Sequence, residues 1–338
     1  MFGRVASALD FRSEDEFVMW LKRWAATPDH RLKLGIGDDA ALVSVAKSTE
    51  LILTSDLSIE GVHFRRDLHP PRSVGHRALA RSLSDIAAMG GRPRFALISL
   101  AISRDVSPSW IRGFYAGMSR LARSLGVAIV GGDTAVVPGR ITVDVVVVGE
   151  VQKGHALRRA GARPGDRIFV SGRLGLSALG LHLLESGSKS RAGWVRAALQ
   201  SHLWPQPQCA LGRFLSERRL ATALIDISDG LSTDLARLCQ ASGVGARLWE
   251  DKIPMPVMAR LRQAHQLDPL RLALDGGEDY QLLFSVPPHL ASRIPKKHRG
   301  LPLHCTGEIQ KSRRISLVRG SGQQELLAPG GYDHFREP

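Results

Sequence analysis

Six short segments of this chain put an aspartate or glutamate beside glycine or a hydroxyl group. They are Gly35-Ile-Gly-Asp38-Asp39, Thr54-Ser55-Asp56, Leu83-Ser84-Asp85, Gly131-Gly132-Asp133, Asp226-Ile227-Ser228-Asp229-Gly230 and Gly276-Gly277-Glu278-Asp279. Burying a carboxylate without a partner is costly, so acids that recur at turns point to cations. The chain carries 46 Lys and Arg against 32 Asp and Glu, a formal charge of +14. In so basic a chain, acids gathered in such loops suit divalent metal ions that hold a polyphosphate. Magnesium takes one or two protein carboxylates and leaves its other positions to waters and phosphate oxygens. Several ions on one nucleotide would therefore need several dispersed aspartates rather than one cage. Any one of these acids is equally well an Asx-turn; it is their number that favours metal.

Other residues are more equivocal. Arg159, in Leu157-Arg158-Arg159-Ala160-Gly161, could clamp phosphate through its two-pronged guanidinium or be one surface charge among many. His63, in Glu60-Gly61-Val62-His63-Phe64, is either a contact residue or a structural group. On a helix through Leu79, Leu83, Ile86 and Gly90, Asp85 falls about 120° from the apolar seam and so does not face it. The P-loop pattern, Gly-x-Gly-x-x-Gly, His-Glu-x-x-His and Gly-x-Ser-x-Gly are all absent, which leaves the P-loop, dinucleotide, zincin and serine-hydrolase readings without support.

The elements that must position these residues alternate in type. Strands are expected at 51–54, 95–102, 127–130 and 141–148, with helices at 72–89 and 109–125. This is an α+β or α/β domain over residues 1–150. A second domain over 151–338 opens at the turn Gly161-Ala-Arg-Pro-Gly165-Asp166. It should hold strands at 167–170, 223–227, 246–249 and 281–286, and helices at 176–184, 232–240 (capped by Ser232) and 257–265.

Composition sets bounds on partners. The basic residues are dispersed and aromatics make up only 6%, so no base-stacking platform is visible and nucleic acid is not expected as the primary partner. No stretch approaches the roughly 18 apolar residues of a membrane span. Cys209, Cys239 and Cys305 are odd in number and widely spaced, and the N-terminus has no apolar secretory core. Reduced thiols in a cytoplasm are expected.

Taken in order, the motifs resemble the thiamine-monophosphate kinase family, within the superfamily that also contains aminoimidazole ribonucleotide synthetase and selenophosphate synthetase. The resemblance rests on Gly35–Leu42, Thr54–Asp56, Gly61–Phe64, Leu83–Gly90, Gly131–Thr134, Ile225–Leu231, Gly276–Tyr280 and the terminal Gly331-Tyr-Asp-His-Phe335, and so spans nearly the whole chain. It implies a homodimer in which the sheet of the N-terminal domain pairs across the dimer, with a C-terminal domain that completes the ATP and substrate site. The implied reaction passes the γ-phosphoryl of ATP to thiamine monophosphate with the help of several Mg²⁺ ions. Metal roles are implied for Asp39, Thr54, Ser55, Asp56, Asp85, Asp133, Asp226 and Asp229, with Asp38 a turn neighbour. Gly132, Arg159 and Ser228 are implied as ATP contacts, and His63, Glu278 and Tyr332 as contacts to thiamine monophosphate. Ser82 stands where the family commonly has Asn. Within the superfamily, aminoimidazole ribonucleotide synthetase is the enzymatic alternative, whereas the absence of a cysteine before Cys209 argues against selenophosphate synthetase.

Overall fold

The computed structural model describes residues 20–23, 29–34, 36, 42–256 and 267–332. Asp38, Asp39, the expected helix at 257–265 and Asp333-His334-Phe335 lie outside the described residues. The chain divides into two compact units, Met1–Ile86 with Pro93–Glu150, and Ala87–Arg92 with Val151–Pro338.

In the first unit, β1 (Leu32–Leu34) and β2 (Leu42–Val43) form a small antiparallel pair. The main sheet holds β3 (Thr49–Ile59), β4 (Arg92–Ile102), β5 (Ala128–Val136) and β6 (Thr142–Gln152) in the order β3-β6-β4-β5. Helices α1 (Pro71–Ala88) and α2 (Pro108–Leu125) accompany it. Strands β4 and β5 run parallel, with α2 as their crossover, and the register sets Ile98 opposite Gly132 and Ser99 opposite Asp133. Ser107 starts α2 by accepting the Trp110 N–H on its hydroxyl at 3.2 Å, with Pro108 in the first turn, and Gly126 ends it at φ 67°. The two helices cross backbone to backbone. A Cβ on Gly75 would lie 1.9 Å from the Phe114 carbonyl oxygen, and one on Gly117 would lie 1.7 Å from that of Arg72. Beneath the crossing, Leu79, Leu83, Ile86, Phe114, Tyr115 and Met118 are fully buried.

Period-two alternation sorts β3 into two faces. Ile52, Thr54, Asp56 and Ser58 turn inward, whereas Leu51, Leu53, Ser55 and Leu57 are exposed. Both β3 and β5 are longer than the sequence suggests, so Asp56 and Asp133, expected at strand ends, sit inside strands. Both strands lie at edges of the sheet, where polar side chains leave the face without interrupting a central ladder.

The second unit is built on a mixed sheet of eight strands. These are β7 (Arg167–Ser171), β8 (Ala223–Ile227), β9 (Gly245–Trp249), β10 (Gln281–Val286), β11 (Lys297–His298), β12 (Leu301–Gln310), β13 (Ile315–Val318) and β14 (Gln324–Leu326). The order is β14-β13-β9-β12-β7-β10-β8, with β11 paired to β12. Among the described residues all strand pairings of this sheet but β13 with β9 are antiparallel, which makes this unit α+β in character. Its helices are α3 (Leu176–Glu185), α4 (Gly193–Leu203), α5 (Cys209–Glu217), α6 (Leu231–Ser242) and α7 (Pro269–Asp275). Strand β8 is buried throughout, and its Ile225 and Ile227 share one core with Leu231, Leu235, Leu238, Leu248 and Leu283. Helices α3 and α4 pack through Leu179, Leu183, Val195 and Ala198, with Gly180 closing against the Ala198 carbonyl.

Candidate functional site

The first unit brings three of the expected residues to one side of its sheet. Thr54 donates its hydroxyl to Asp85 on α1, and Asp56 follows two residues on along the same inward face. Asp85 is thus a hydrogen-bonded partner of β3 rather than a solvated helix-face acid. The Asp56 Oδ2 atom is buried and has no hydrogen-bond partner among the described residues. An ionised oxygen in that state is strongly unfavourable unless a cation meets it. Ser55 points its side chain the other way, to the exposed face, where its hydroxyl donates to Asp144 Oδ1 at 2.6 Å. Its side chain therefore does not join the inward group. Asp133 Oδ1 accepts the N–H of its neighbour Thr134 at 2.7 Å.

Gly132 holds a place no other residue fits. Its φ is 149°, and a Cβ there would sit 1.9 Å from the Ile98 carbonyl oxygen. The close approach of β5 to β4 thus depends on it. Ser82, where the family has Asn, is buried and donates to the Val145 carbonyl at 2.8 Å, so its hydroxyl is committed to β6. His63 accepts the Ile59 N–H on Nδ1 at 3.0 Å, which places the ring proton on Nε2. Arg77 donates to the His63 carbonyl at 3.0 Å.

The second unit gathers the other set where β8 ends. Loop 276–280 lies against the turn Ser228-Asp229-Gly230: Glu278 donates its N–H to the Ser228 carbonyl at 2.7 Å, and Tyr280 to that of Ile227 at 2.9 Å. Glycines permit this stacking. A Cβ on Gly277 would meet the Ser228 oxygen at 2.7 Å, and one on Gly331 would meet the Asp229 oxygen at 1.8 Å. Half-exposed Tyr332 therefore follows directly from a residue seated on the Asp229 turn. Asp226 is buried within β8. Arg159 is placed apart from this group. Its side chain is exposed and its carbonyl accepts from Ser242, while Arg158 bonds Leu224 near the start of β8.

Several residues that the motifs did not point to organise this end of the sheet. Asp234, in the first turn of α6, accepts the N–H groups of both Ser228 and Asp229 on Oδ2, each at 3.0 Å. Burial pushes its carboxyl up to about 6, against the pull of the Asp229 amide and of Arg237. Arg237 Nη1 bridges Asp229 Oδ2 at 2.5 Å and Asp234 Oδ1 at 2.7 Å. The legible clue was an acid in the first turn of α6, within reach of the turn that precedes the helix. Ser232 does not cap α6. Gly230 occupies that position, and the serine hydroxyl instead donates to Asp275 at 2.8 Å.

Asp279 is wholly buried and takes two amides at the start of α3, Gly175 N–H at 2.5 Å and Ser177 N–H at 3.0 Å. Burial pushes it up to about 7, with the Glu278 charge adding to the rise. Glu278 and Tyr280, on either side of it, have left-handed backbones at φ 63° and 49°. For bulky residues such conformations cost of order 1–3 kcal/mol each. The side chain of Glu278 also lies 4.0 Å from buried His202, which contacts Ser177 Oγ at 3.2 Å. Among the described residues no three His, Cys, Asp or Glu side chains form a ready metal cage.

Two family models match the chain: AIR synthase related protein, N-terminal domain, over residues 37–151, and AIR synthase related protein, C-terminal domain, over 163–320. A thiamine-monophosphate kinase of Bacillus subtilis strain 168 is 35% identical over 308 residues, covering 90% of this chain and 94% of the relative. The crystal structure of thiamine-monophosphate kinase from Stenotrophomonas maltophilia K279a superposes with a TM-score of 0.79 at 33% identity, covering 87% of this chain and 93% of that one. AaThiL complexed with AMPPCP and TMP superposes with a TM-score of 0.76 at 32% identity, covering 99% of both chains.

Proposed function

This chain belongs to the thiamine-monophosphate kinase family, and we propose that it carries out that family's reaction with the residues described above. The reaction is ATP-dependent phosphorylation of thiamine monophosphate to thiamine diphosphate, with release of ADP. A relative bound to both AMPPCP and TMP supports the substrate pair. The observation that carries the metal part of the reading is the buried, unpartnered Asp56 Oδ2.

Donor and acceptor are both phosphates, so several negative charges must meet. Bound Mg²⁺ supplies charge neutralisation for them and for the transferring group. Asp56, Asp85 and Asp133 with Thr54 would hold metal from the first unit, and Asp226 and Asp229 from the second. The same role is proposed for Asp39, and for Ser55 through its main chain. Gly132, Ser228 and Arg159 are proposed as ATP contacts. A phosphate monoester loses its second proton near pH 6, so the acceptor is already an oxyanion at neutral pH and needs no catalytic base. The protein's task is then to hold charges in place.

For the vitamin, a cationic thiazolium and an aminopyrimidine suit an acid and an aromatic face, which Glu278 and Tyr332 offer beside the Asp229 turn. His63 Nε2–H is proposed as a donor to the same substrate. We also propose a homodimer, supported by Leu51, Leu53 and Leu57, all about half exposed or more on one face of the edge strand β3. Three widely spaced cysteines, none of them in a disulfide among the described residues, support a cytoplasmic setting, and among the described residues no helix is long and apolar enough to cross a membrane. The direct test is ADP formation from ATP with thiamine monophosphate, with and without Mg²⁺. A rate independent of thiamine monophosphate would overturn the assignment.

A further inference from the structure

The arrangement around Asp229 contains a cation of its own. Asp234 Oδ2 fixes the Ser228-Asp229 turn through two main-chain N–H groups, so the position of Asp229 does not depend on what its own side chain binds. The Asp229 carboxylate is held instead by Arg237, three residues beyond Asp234 on α6 and shared between the two acids through the single atom Nη1. One guanidinium thus stands between two carboxylates, one of them buried and the other partly open to solvent.

A divalent ion that takes Asp229 would compete with this guanidinium for the charge of one carboxylate, whose Oδ2 the guanidinium holds. Arg237 can yield without being left unpaired, because its contact with Asp234 Oδ1 does not involve Asp229. We propose that Arg237 is a built-in counter-ion that stands in for the divalent cation at Asp229 in the metal-free enzyme and thereby weakens metal binding there. The gain is a site whose like charges do not repel one another while the enzyme waits for nucleotide. The inference rests on the proposed role of Asp229 as a metal ligand.

The test is a calorimetric titration with Mn²⁺ at saturating AMPPCP, alongside thermal unfolding without metal. Arg237→Met should bind Mn²⁺ about two- to five-fold more tightly, the size of a partly exposed ion pair, while unfolding at lower temperature without metal. A merely structural arginine would lower both stability and affinity. Weaker or unchanged Mn²⁺ binding in Arg237→Met overturns the proposal. If Asp229→Asn leaves Mn²⁺ binding unchanged, the metal role of Asp229 itself has failed. Should Arg237→Met not fold, a wild-type crystal structure with Mg²⁺ and AMPPCP decides. Arg237 is expected to keep Asp234 and release Asp229, and a guanidinium still bonded to a metal-bearing Asp229 refutes the exchange.

Discussion

Replacing Asp279 with asparagine should change how stability depends on pH, and in the direction opposite to most carboxylates. Asp279 is fully buried, and its folded value of about 7 lies above the ordinary 3.8 because burial outweighs the two α3 amides that favour its charged form. A raised value means that the fold prefers the protonated acid. Its contribution is therefore fully present below about pH 4, declines as pH rises through the range between 3.8 and about 7, and levels off above. Linkage over that interval gives a loss of roughly 2–3 kcal/mol between pH 5 and pH 8. The asparagine variant has no proton to release, so the stability of wild type minus that of the variant should fall by the same amount. Urea unfolding of both metal-free proteins at pH 5 and pH 8 measures it. Glu278→Gln, which removes a charge that raises Asp279, should shrink the loss in an otherwise wild-type chain. A difference that stays flat or grows with pH would mean that the helix amides dominate and that Asp279 is an ordinary ionised cap.

Asp56→Asn should lower turnover by an order of magnitude or more and shift the Mg²⁺ dependence to higher concentration, since it removes the charge from a carboxylate whose Oδ2 no described residue meets. Unchanged kinetics would end its metal role. Gly132→Ala forces a Cβ against the Ile98 carbonyl in a backbone unsuited to side chains, and should cost several kcal/mol, read as a lowered melting temperature. Leu53→Glu, 68% exposed in the single chain, should leave folding intact but shift the mass in light scattering from dimer to monomer; an unchanged mass would place the dimer contact elsewhere or remove it.

Legibility from sequence followed how local each determinant is. Helix α2 could be read almost to the residue because Ser107, Pro108 and Gly126 mark its ends and its apolar spacing is helical. Strand β8 was equally plain as a short apolar run. The extensions of β3 and β5 were not, because Thr54-Ser55-Asp56 and Gly131-Gly132-Asp133 look like turns, and only pairing with strands distant in sequence keeps them extended. The same limit applies to side chains. That Thr54 and Asp56 share a face follows from period two, but the Thr54 to Asp85 bond spans 31 residues and needs the sheet and α1 to be packed first. Ser232 shows the converse error: a residue of capping type stood in the right place, but a turn made by Gly230 and an acceptor on Asp275 claimed it.

The acids themselves look alike in sequence and are separated by what each one meets. Glu150 is held by Arg31 and Arg94, Glu308 by Arg167 and Arg247, and Glu60 by Arg66. These are structural uses of charge, and they account for some of the arginines in so basic a chain. Asp279 is satisfied by main-chain amides at the start of α3 and Asp234 by those of the turn that precedes α6, which orders loops rather than binding ligands. Asp56 belongs to neither class: it is inward-facing, with a buried oxygen that no described residue meets. Asp229 is intermediate, paired with an arginine that has a second acid to fall back on. A carboxylate whose partner is absent or can leave is one that a mobile cation can claim, and that criterion ranks Asp56 and Asp229 as the first two positions at which to measure metal binding.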